Sequence, residues 1–333
     1  MKRRSILMAI PAVVGMFLLA GCSGGGDEKI DSIGAPKKAT DATGAGASGQ
    51  KFVIGMSQCT LNEPWRVQMN KDIEDAAKEH PEITMIFRDA SDKSETQQAQ
   101  VREFIQQHVN LIIISPKESR PLTKPVAEAM DAGIPVIVLD RAVEGEKFSC
   151  FIGADNVKIG RELGKYMVKA LGGKGNVIEL KGLQTSKPGQ DRHNGFVEGI
   201  TGSQIKVIFD ADCGWKEPTA QKEMASALSR FPQIDAVYGH NDPSAHGAYQ
   251  AALQEGKGRE KTIKFFGVDS LPTEGVKYAK DGILTATFQY PTGGKEAIDN
   301  AMKVLKKEPV PNKITLGTRI FTKENSAKGG DAL

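Results

Sequence analysis

The chain has 333 residues, of which 39% are hydrophobic, and its 44 basic and 41 acidic side chains leave a formal charge of +3. A charge so close to zero argues against nucleic-acid binding, which usually requires a clear basic surplus. The part that follows the first fifty residues is long enough for two domains of ordinary size.

The first residues predict an export signal. Basic residues at 2–4 precede an apolar run over 6–20, which is too short for a confident membrane-spanning helix. Leu-Ala-Gly-Cys at 19–22 resembles a lipobox, the motif at which bacterial signal peptidase II cuts and lipid is attached. We therefore expect a signal peptide over 1–21 and a lipid anchor on Cys22, which acyl chains hold in a membrane. The alternative is an ordinary secretory signal with an incidental cysteine. Without the signal, 41 basic residues face 41 acidic ones.

Residues 22–50 predict a flexible tether. They are rich in Gly, Ala, Ser, Thr and Lys, and such a composition cannot bury enough apolar surface to fold. Ser23 favours an outer membrane, if the cell has one, by resemblance to lipoprotein sorting. We expect a protein held at a membrane in the periplasm or at the cell surface.

The remaining chain predicts an α/β fold with two parallel sheets. Apolar, β-branched runs recur about every 25–30 residues, the length of one βα unit. The predicted strands are 52–56, 83–87, 111–115, 135–139, 176–180, 204–209, 235–238, 263–268 and 284–288. Helical patterns lie between them; in 65–77 the apolar residues share one face, and Pro64 suits the first turn. Buried strands that alternate with helices favour doubly wound parallel sheets, and an interruption at 153–156 divides them into two lobes.

The loops that follow the predicted strands carry the candidate site. Ligands bind at the carboxyl ends of strands in such sheets, so two facing lobes bring two sets of loops to one cleft. These loops hold Asp, Arg, Asn, Gln and Trp side chains. Carboxylates accept hydrogen bonds from hydroxyls, guanidinium groups donate them, and aromatic rings pack on C–H surfaces. This set of groups favours a neutral, polyhydroxylated ring as the ligand.

Several motifs resemble those of the type I periplasmic sugar-binding proteins of ABC importers, the ribose- and galactose-type family, over most of 51–323. They are Thr-Leu-Asn-Glu-Pro at 60–64, the run 133–141, Gly-Ala-Asp-Asn at 153–156, 191–196, His-Asn-Asp at 240–242, Gly-Val-Asp at 267–269 and 322–325. The resemblance implies a ligand site formed by Glu63, Trp65, Arg66, Asp140, Arg141, Arg192, Trp215, Asn241, Asp269 and Gln289.

The resemblance also implies the domain organisation. Three hinge crossings are expected near 153–156, 286–290 and 310–316. The N-terminal lobe would comprise 51–154 plus 289–312. The C-terminal lobe would comprise 155–288 plus 313–325.

Two positions depart from the ribose-binding pattern. Glu63 occurs where those proteins have Asn, and Arg66 occurs where they have Phe. Trp-Arg at 65–66, with 191–192 and 240–242, is more similar to the galactofuranose-binding branch. A hexofuranose, a cyclitol or a sugar with an extra polar arm is therefore favoured over plain ribose.

The expected function is capture of a monosaccharide by a monomeric, lipid-anchored protein that delivers it to an ABC permease and its ATPase. No cofactor, metal, nucleic acid or catalysis is expected. One alternative is a receptor that presents the sugar to a sensor kinase or chemoreceptor, and another is an exported sugar hydrolase.

Asn241 is expected to bind ligand while Asp242 is structural. Replacing Asp140 or Arg192 by alanine is expected to abolish binding with little change in melting temperature. A Cys150–Cys213 disulfide and free thiols both remain open.

Overall fold

The computed structural model describes residues 51–333, so the signal peptide, Cys22 and the tether predicted above lie outside the described residues. The strands of the described part are β1 (Phe52–Gln58), β2 (Ile83–Asp89), β3 (Leu111–Ser115), β4 (Val136–Leu139), β5 (Cys150–Ala154), β6 (Lys174–Lys181), β7 (Gln204–Asp212), β8 (Ala236–Gly239), β9 (Lys264–Asp269), β10 (Ala286–Gln289), β11 (Lys313–Leu316), β12 (Arg319–Phe321) and β13 (Asp331–Ala332).

The α-helices of residues 51–333 are α1 (Pro64–Lys78), α2 (Ser94–Gln106), α3 (Ser119–Asp131), α4 (Asn156–Ala170), α5 (Lys187–Ile200), α6 (Glu217–Arg230), α7 (Asp242–Glu255), α8 (Gly275–Lys280) and α9 (Gly294–Leu305). Short 3₁₀ helices span Arg259–Lys261 and Ser326–Lys328. Among these residues, no helix combines the length and the apolar character that crossing a membrane requires.

The strands form two sheets, which confirms the predicted fold class. The first sheet has the order β11-β5-β4-β3-β1-β2, and all its neighbours are parallel. The second has the order β13-β12-β10-β9-β8-β6-β7, and it is parallel except at β12 and β13. We call the first sheet with α1, α2, α3 and α9 the first lobe. The second sheet with α4 to α8 is the second lobe.

Each lobe is built around apolar strands that are buried on both faces. In β3 and β4 every residue is buried, and so is every residue of β8. Helix α1 covers the first sheet with Trp65, Met69 and Ile73, which recur at the spacing of one helical face, and it begins at Pro64 as expected. Because these strands are packed on both faces, the loops that follow their carboxyl ends are held in fixed positions.

The chain passes between the lobes three times. It crosses between β5 and α4, between β10 and α9, and between β11 and β12. The third crossing differs from the sequence-based division, which placed 313–325 in the second lobe. Strand β11 instead pairs with β5 in the first sheet, with Lys313 opposite Phe151 and Leu316 opposite Ala154. The crossing therefore falls at 317–318, because β11 completes the edge of the first sheet before the chain leaves it.

The three cysteines within residues 51–333 are buried and form no disulfide with one another. Cys150 lies in the first sheet, and Cys213 follows β7 in the second. Cys59 follows β1, and burial raises the pKa of its thiol. Of the two possibilities that the sequence leaves open, the structure has free thiols.

Candidate functional site

One cavity lies between the carboxyl ends of the two sheets. About 300 Å³ of space separates its walls, including the open mouth. Its lining consists of Glu63, Trp65, Arg66, Asp140, Arg141, Pro188, Arg192, Trp215, Asn241, Asp269 and Tyr290.

The lining contains nine of the ten residues that the sequence resemblance implies. Their role in ligand binding remains a prediction, but the fold brings them together. The first lobe contributes the start of α1 and the loop after β4, and the second contributes α5 and the loops after β7, β8 and β9. Gln289 is the exception, because it ends β10 and does not line the cavity. Its neighbour Tyr290 does, and so does Pro188 in the first turn of α5.

Three non-glycine residues of the lining have left-handed backbone conformations. The φ angles are 67° at Asp140, 70° at Trp215 and 123° at Asp269. Such conformations are unfavourable for residues with a side chain and cluster at functional sites. Each directs a strand-end loop into the cavity.

The charged groups of the first lobe form a buried network. Arg66 Nη1 lies 2.7 Å from both Asp140 Oδ2 and Ser115 Oγ, and Arg66 Nε lies 3.5 Å from Glu63. Arg66 and Asp140 are only 3% and 5% exposed. Burial alone would lower the pKa of Arg66, but the negative charge of Asp140 raises it above its usual value. The sequence places Arg141 beside Asp140, yet the closer partner is Arg66, since Arg141 Nε lies 3.9 Å from that carboxylate.

Arg192 occupies the matching place in the second lobe. Its Nε donates to Asn156 Oδ1 at 2.9 Å, and its Nη1 donates to the carbonyl oxygen of His240. The carboxylate of Asp269 lies 3.7 Å away, beyond hydrogen-bond distance. Burial raises the pKa of Asp269, and the charge of Arg192 opposes that rise. Because Arg192 lies beyond hydrogen-bond distance, the carboxyl group of Asp269, which lines the cavity, is available to a ligand.

The aromatic residues connect the lobes. Trp65 Nε1 donates to the Tyr290 carbonyl at 2.9 Å, and Tyr290 Oη donates to the Asp140 carbonyl at 3.2 Å. The Trp215 ring lies 5.4 Å from the guanidinium carbons of both Arg141 and Arg192, one from each lobe. These contacts hold residues of both lobes around the same space.

Two glycines make room for the aromatic side chains. A Cβ at Gly182 would lie 2.2 Å from the six-membered ring of Trp215, so that ring can pack there only against glycine. A Cβ at Gly153 would lie 3.1 Å from Tyr290 Oη. A larger residue at either position would therefore displace an aromatic side chain that lines the cavity.

Asn241 and Asp242 divide their roles. Asn241 caps α7, because its Oδ1 accepts from the Ser244 N–H, while its Nδ2 donates to the Trp215 carbonyl at 3.0 Å. Asp242 is buried behind the lining and accepts from the Ser270 N–H and the Thr287 hydroxyl. Burial raises the pKa of Asp242 to about 7, and these hydrogen bonds oppose the rise. Asp242 thus has the structural environment that the sequence suggests.

The lining as a whole has balanced charge. It contains three arginines and three carboxylates, and no histidine, cysteine or serine. Such a set can donate and accept hydrogen bonds around an uncharged ligand. Within residues 51–333, histidine, cysteine and carboxylate side chains form no group that could hold a metal ion.

Comparisons with known proteins agree with this geometry. Residues 54–309 match a family described as the periplasmic binding protein domain. The ribose import binding protein RbsB of Bacillus subtilis is 29% identical over 95% of this chain and 99% of its own length. The galactofuranose-binding protein YtfQ of Escherichia coli is 30% identical over 83% of this chain and 89% of its own. A solved fructose-binding periplasmic domain of a hybrid two-component system is 41% identical, with a TM-score of 0.80 over 84% of this chain and 93% of that one. The chain therefore belongs to the periplasmic binding protein family that its motifs predict.

Proposed function

We propose that this protein captures one neutral sugar between its two lobes and delivers it to an ABC importer. The observation that carries the proposal is the composition of the cavity, to which each lobe contributes five residues and Tyr290, between the lobes, contributes one. A ligand there contacts both lobes at once, so its binding favours their closed arrangement. The importer then distinguishes the loaded protein by that arrangement.

Hydroxyl groups suit the hydrogen-bonding capacity that remains in the cavity. Arg66 Nε is buried without a hydrogen-bond partner among the described residues, and the carboxylate of Asp269 is beyond hydrogen-bond distance of Arg192. A hydrogen bond to a charged group contributes about 1.5–3 kcal/mol. A handful of them, less the cost of ordering, supports roughly micromolar affinity, which corresponds to about −8 kcal/mol.

The balanced charge selects against anionic sugars. Three arginines face three carboxylates, so a sugar phosphate or sugar acid would bring an uncompensated charge into a buried site. The cavity is small, with about 300 Å³ of space between its walls even when the open mouth is included, and this favours a single ring. Ribose, fructose and galactofuranose, named for the relatives above, are all neutral sugars. We favour a furanose or a cyclitol, for the reasons given for Glu63 and Arg66.

A thermal-shift screen of the full-length protein tests the proposal. The panel contains D-ribose, D-fructose, D-galactose, L-arabinose and myo-inositol, with ribose 5-phosphate as the charged control. We expect at least one neutral compound to raise the melting temperature and the phosphate to leave it unchanged. Calorimetry with that compound should show no binding to Asp269→Asn and wild-type affinity for Asp299→Asn, an exposed carboxylate on α9 paired with Lys295. Full affinity in Asp269→Asn would refute the site.

Sensing is a second candidate function. The relative that is 41% identical is the periplasmic domain of a hybrid two-component system, and closure around a sugar serves signalling as well as transport. Stimulation of a reconstituted permease ATPase by the sugar-loaded protein favours transport. Stimulation of a sensor-kinase autophosphorylation favours signalling.

The remaining parts of the proposal concern location and state. Family membership implies a place outside the cytoplasm. We propose that lipid on Cys22 attaches the protein to a membrane. Cys22→Ser should therefore move the protein from the membrane fraction to the soluble fraction. We propose binding without catalysis, so glycosides incubated with the protein should remain intact. Light scattering should give the mass of a monomer.

A further inference from the structure

A second cavity adjoins the one described above. The two share Glu63 and Trp215 in their linings, so these residues form the boundary between them. The second cavity, which we call the outer chamber, has about 900 Å³ of space between its walls, including its open mouth. It is therefore larger than the inner cavity and lies next to it.

Apolar surface in the outer chamber comes from the starts of three helices. Pro64, Pro218 and Pro243 all line it, and each stands at the first or second position of its helix, in α1, α6 and α7 respectively. Proline has no N–H to donate and presents a ring of C–H groups. With the Trp215 ring, these residues offer flat apolar surface to the C–H faces of a second ring.

Polar groups also line the outer chamber. Thr60, Asn62 and Thr219 line the chamber and can both donate and accept hydrogen bonds. Its carboxylates, which include Glu274, outnumber its one lysine, so an anionic ligand is disfavoured and hydroxyl donors are favoured.

Hydrogen-bonding capacity is unused at the boundary itself. Trp215 Nε1 is buried and has no partner among the described residues, although Trp215 is only 5% exposed. Glu63 stands at the N-cap position of α1, yet its side chain accepts no hydrogen bond from the helix. Both residues line the two cavities, so each has hydrogen-bonding capacity left for a ligand that extends from one cavity into the other.

An ion pair joins the two walls of the chamber. Asp92 of the first lobe lies 3.0 Å from Lys216 Nζ of the second, and it also pairs with Lys117. Asp92 is held by its backbone, because its N–H donates to the Cys59 carbonyl at 2.9 Å. The chamber is thus bounded by both lobes, as the inner cavity is.

We propose that the outer chamber is a subsite for the second ring of a glycoside, so that this protein takes a disaccharide whose first ring occupies the inner cavity. The proposal rests on the proposed function, since it extends the same ligand. The glycosidic bond would pass between Glu63 and Trp215. The second ring would pack on the prolines and present its hydroxyls to Asn62 and Thr219.

Calorimetry with matched sugars tests the proposal on the full-length protein. The probes are D-fructose against sucrose, D-galactose against lactose and melibiose, and D-glucose against maltose. We expect one disaccharide to bind at least about tenfold more tightly than its monosaccharides, which corresponds to about 1.4 kcal/mol. Thr219 lines the outer chamber and does not line the inner cavity, so Thr219→Trp takes up space in the outer chamber; it should abolish that gain and leave monosaccharide affinity within about twofold.

Thr96→Trp is the matched control. Thr96 is the third residue of α2, as Thr219 is of α6, and both are half-buried, but Thr96 lines neither cavity. Its replacement should leave both affinities unchanged. Monosaccharide binding with no tighter disaccharide, or a disaccharide gain that survives Thr219→Trp, would overturn the subsite while leaving the proposed function intact. Failure of every sugar to bind would overturn the proposed function and the subsite with it.

Discussion

Replacing Asp140 by asparagine tests the buried ion pair of the first lobe. Asparagine tolerates the left-handed conformation at φ 67° as aspartate does, so the change removes the charge and leaves the backbone in place. Arg66 and Asp140 are 3% and 5% exposed, and their closest atoms lie 2.7 Å apart. Breaking such a pair typically costs about 3–5 kcal/mol because one charge stays buried without its partner. Glu63, 3.5 Å from Arg66, offsets part of the cost, so we expect a loss of about 3 kcal/mol in the free energy of unfolding.

A second replacement separates two contributions to the loss of stability: the missing ion pair, and the charge of Arg66 that stays buried without a partner. Arg66→Met removes the guanidinium and keeps much of the apolar stem. The double variant Arg66→Met, Asp140→Asn should therefore be more stable than Asp140→Asn alone by about 2 kcal/mol. Both variants should fail to bind sugar. The sequence-based expectation that loss of Asp140 leaves the melting temperature nearly unchanged does not allow for this pair.

Urea unfolding followed by circular dichroism measures these differences. Glu198→Gln is the control, since it breaks an exposed ion pair, 3.0 Å long, with Arg161 in the second lobe. It should change the free energy of unfolding by no more than about 0.5 kcal/mol. Unfolding of Asp140→Asn at the wild-type urea concentration, or a double variant no more stable than the single one, would show that the buried pair does not stabilise the first lobe.

Two further predictions concern the second lobe. Gly182→Ala places a methyl group 2.2 Å from the Trp215 ring and displaces it, so calorimetry should show sugar affinity at least about tenfold weaker; unchanged affinity would contradict the role of Gly182. Burial raises the pKa of Glu179, but hydrogen bonds with His193 and His240 lower it to about 2, from 4.5 in the unfolded chain. This carboxylate should stabilise the fold by about 3 kcal/mol above pH 4.5 and lose that contribution as the pH falls toward 2. The stability advantage of wild type over Glu179→Gln should therefore shrink across that range in urea titrations, and a constant difference would argue against the assignment.

The fold could be predicted because its signal is repeated along the chain. Residues 111–115 were expected as a strand and form β3 with those bounds, since five buried apolar or small residues in a row suit a strand covered on both faces. The helix expected over 65–77 is α1, extended by one residue at each end. The sequence does not predict strand β11. This strand has only four residues, Lys-Ile-Thr-Leu, and its burial alternates as in an edge strand. A pattern that short does not distinguish a strand from a crossing segment.

The site could be predicted as a set of residues but not as a set of contacts. Arg66 and Asp140 are 74 positions apart, and only the sheet order, which brings β1 next to β3 and β3 next to β4, makes them partners. At the end of β10 the resemblance implies Gln289, whereas Tyr290 lines the cavity. Successive residues of an extended chain point to opposite sides, so an error of one position exchanges a lining residue for one outside it.

The proposed function requires side chains of both lobes to bind one hydroxyl-rich ring between them. A crystal structure of the full-length protein with the sugar found in the thermal-shift screen tests it most directly. We predict sugar hydroxyls within about 3.2 Å of a carboxylate oxygen of Asp140 or Asp269 and of the Arg192 guanidinium, with contacts from both lobes. A sugar bound outside this cavity, or held by one lobe alone, would contradict the account.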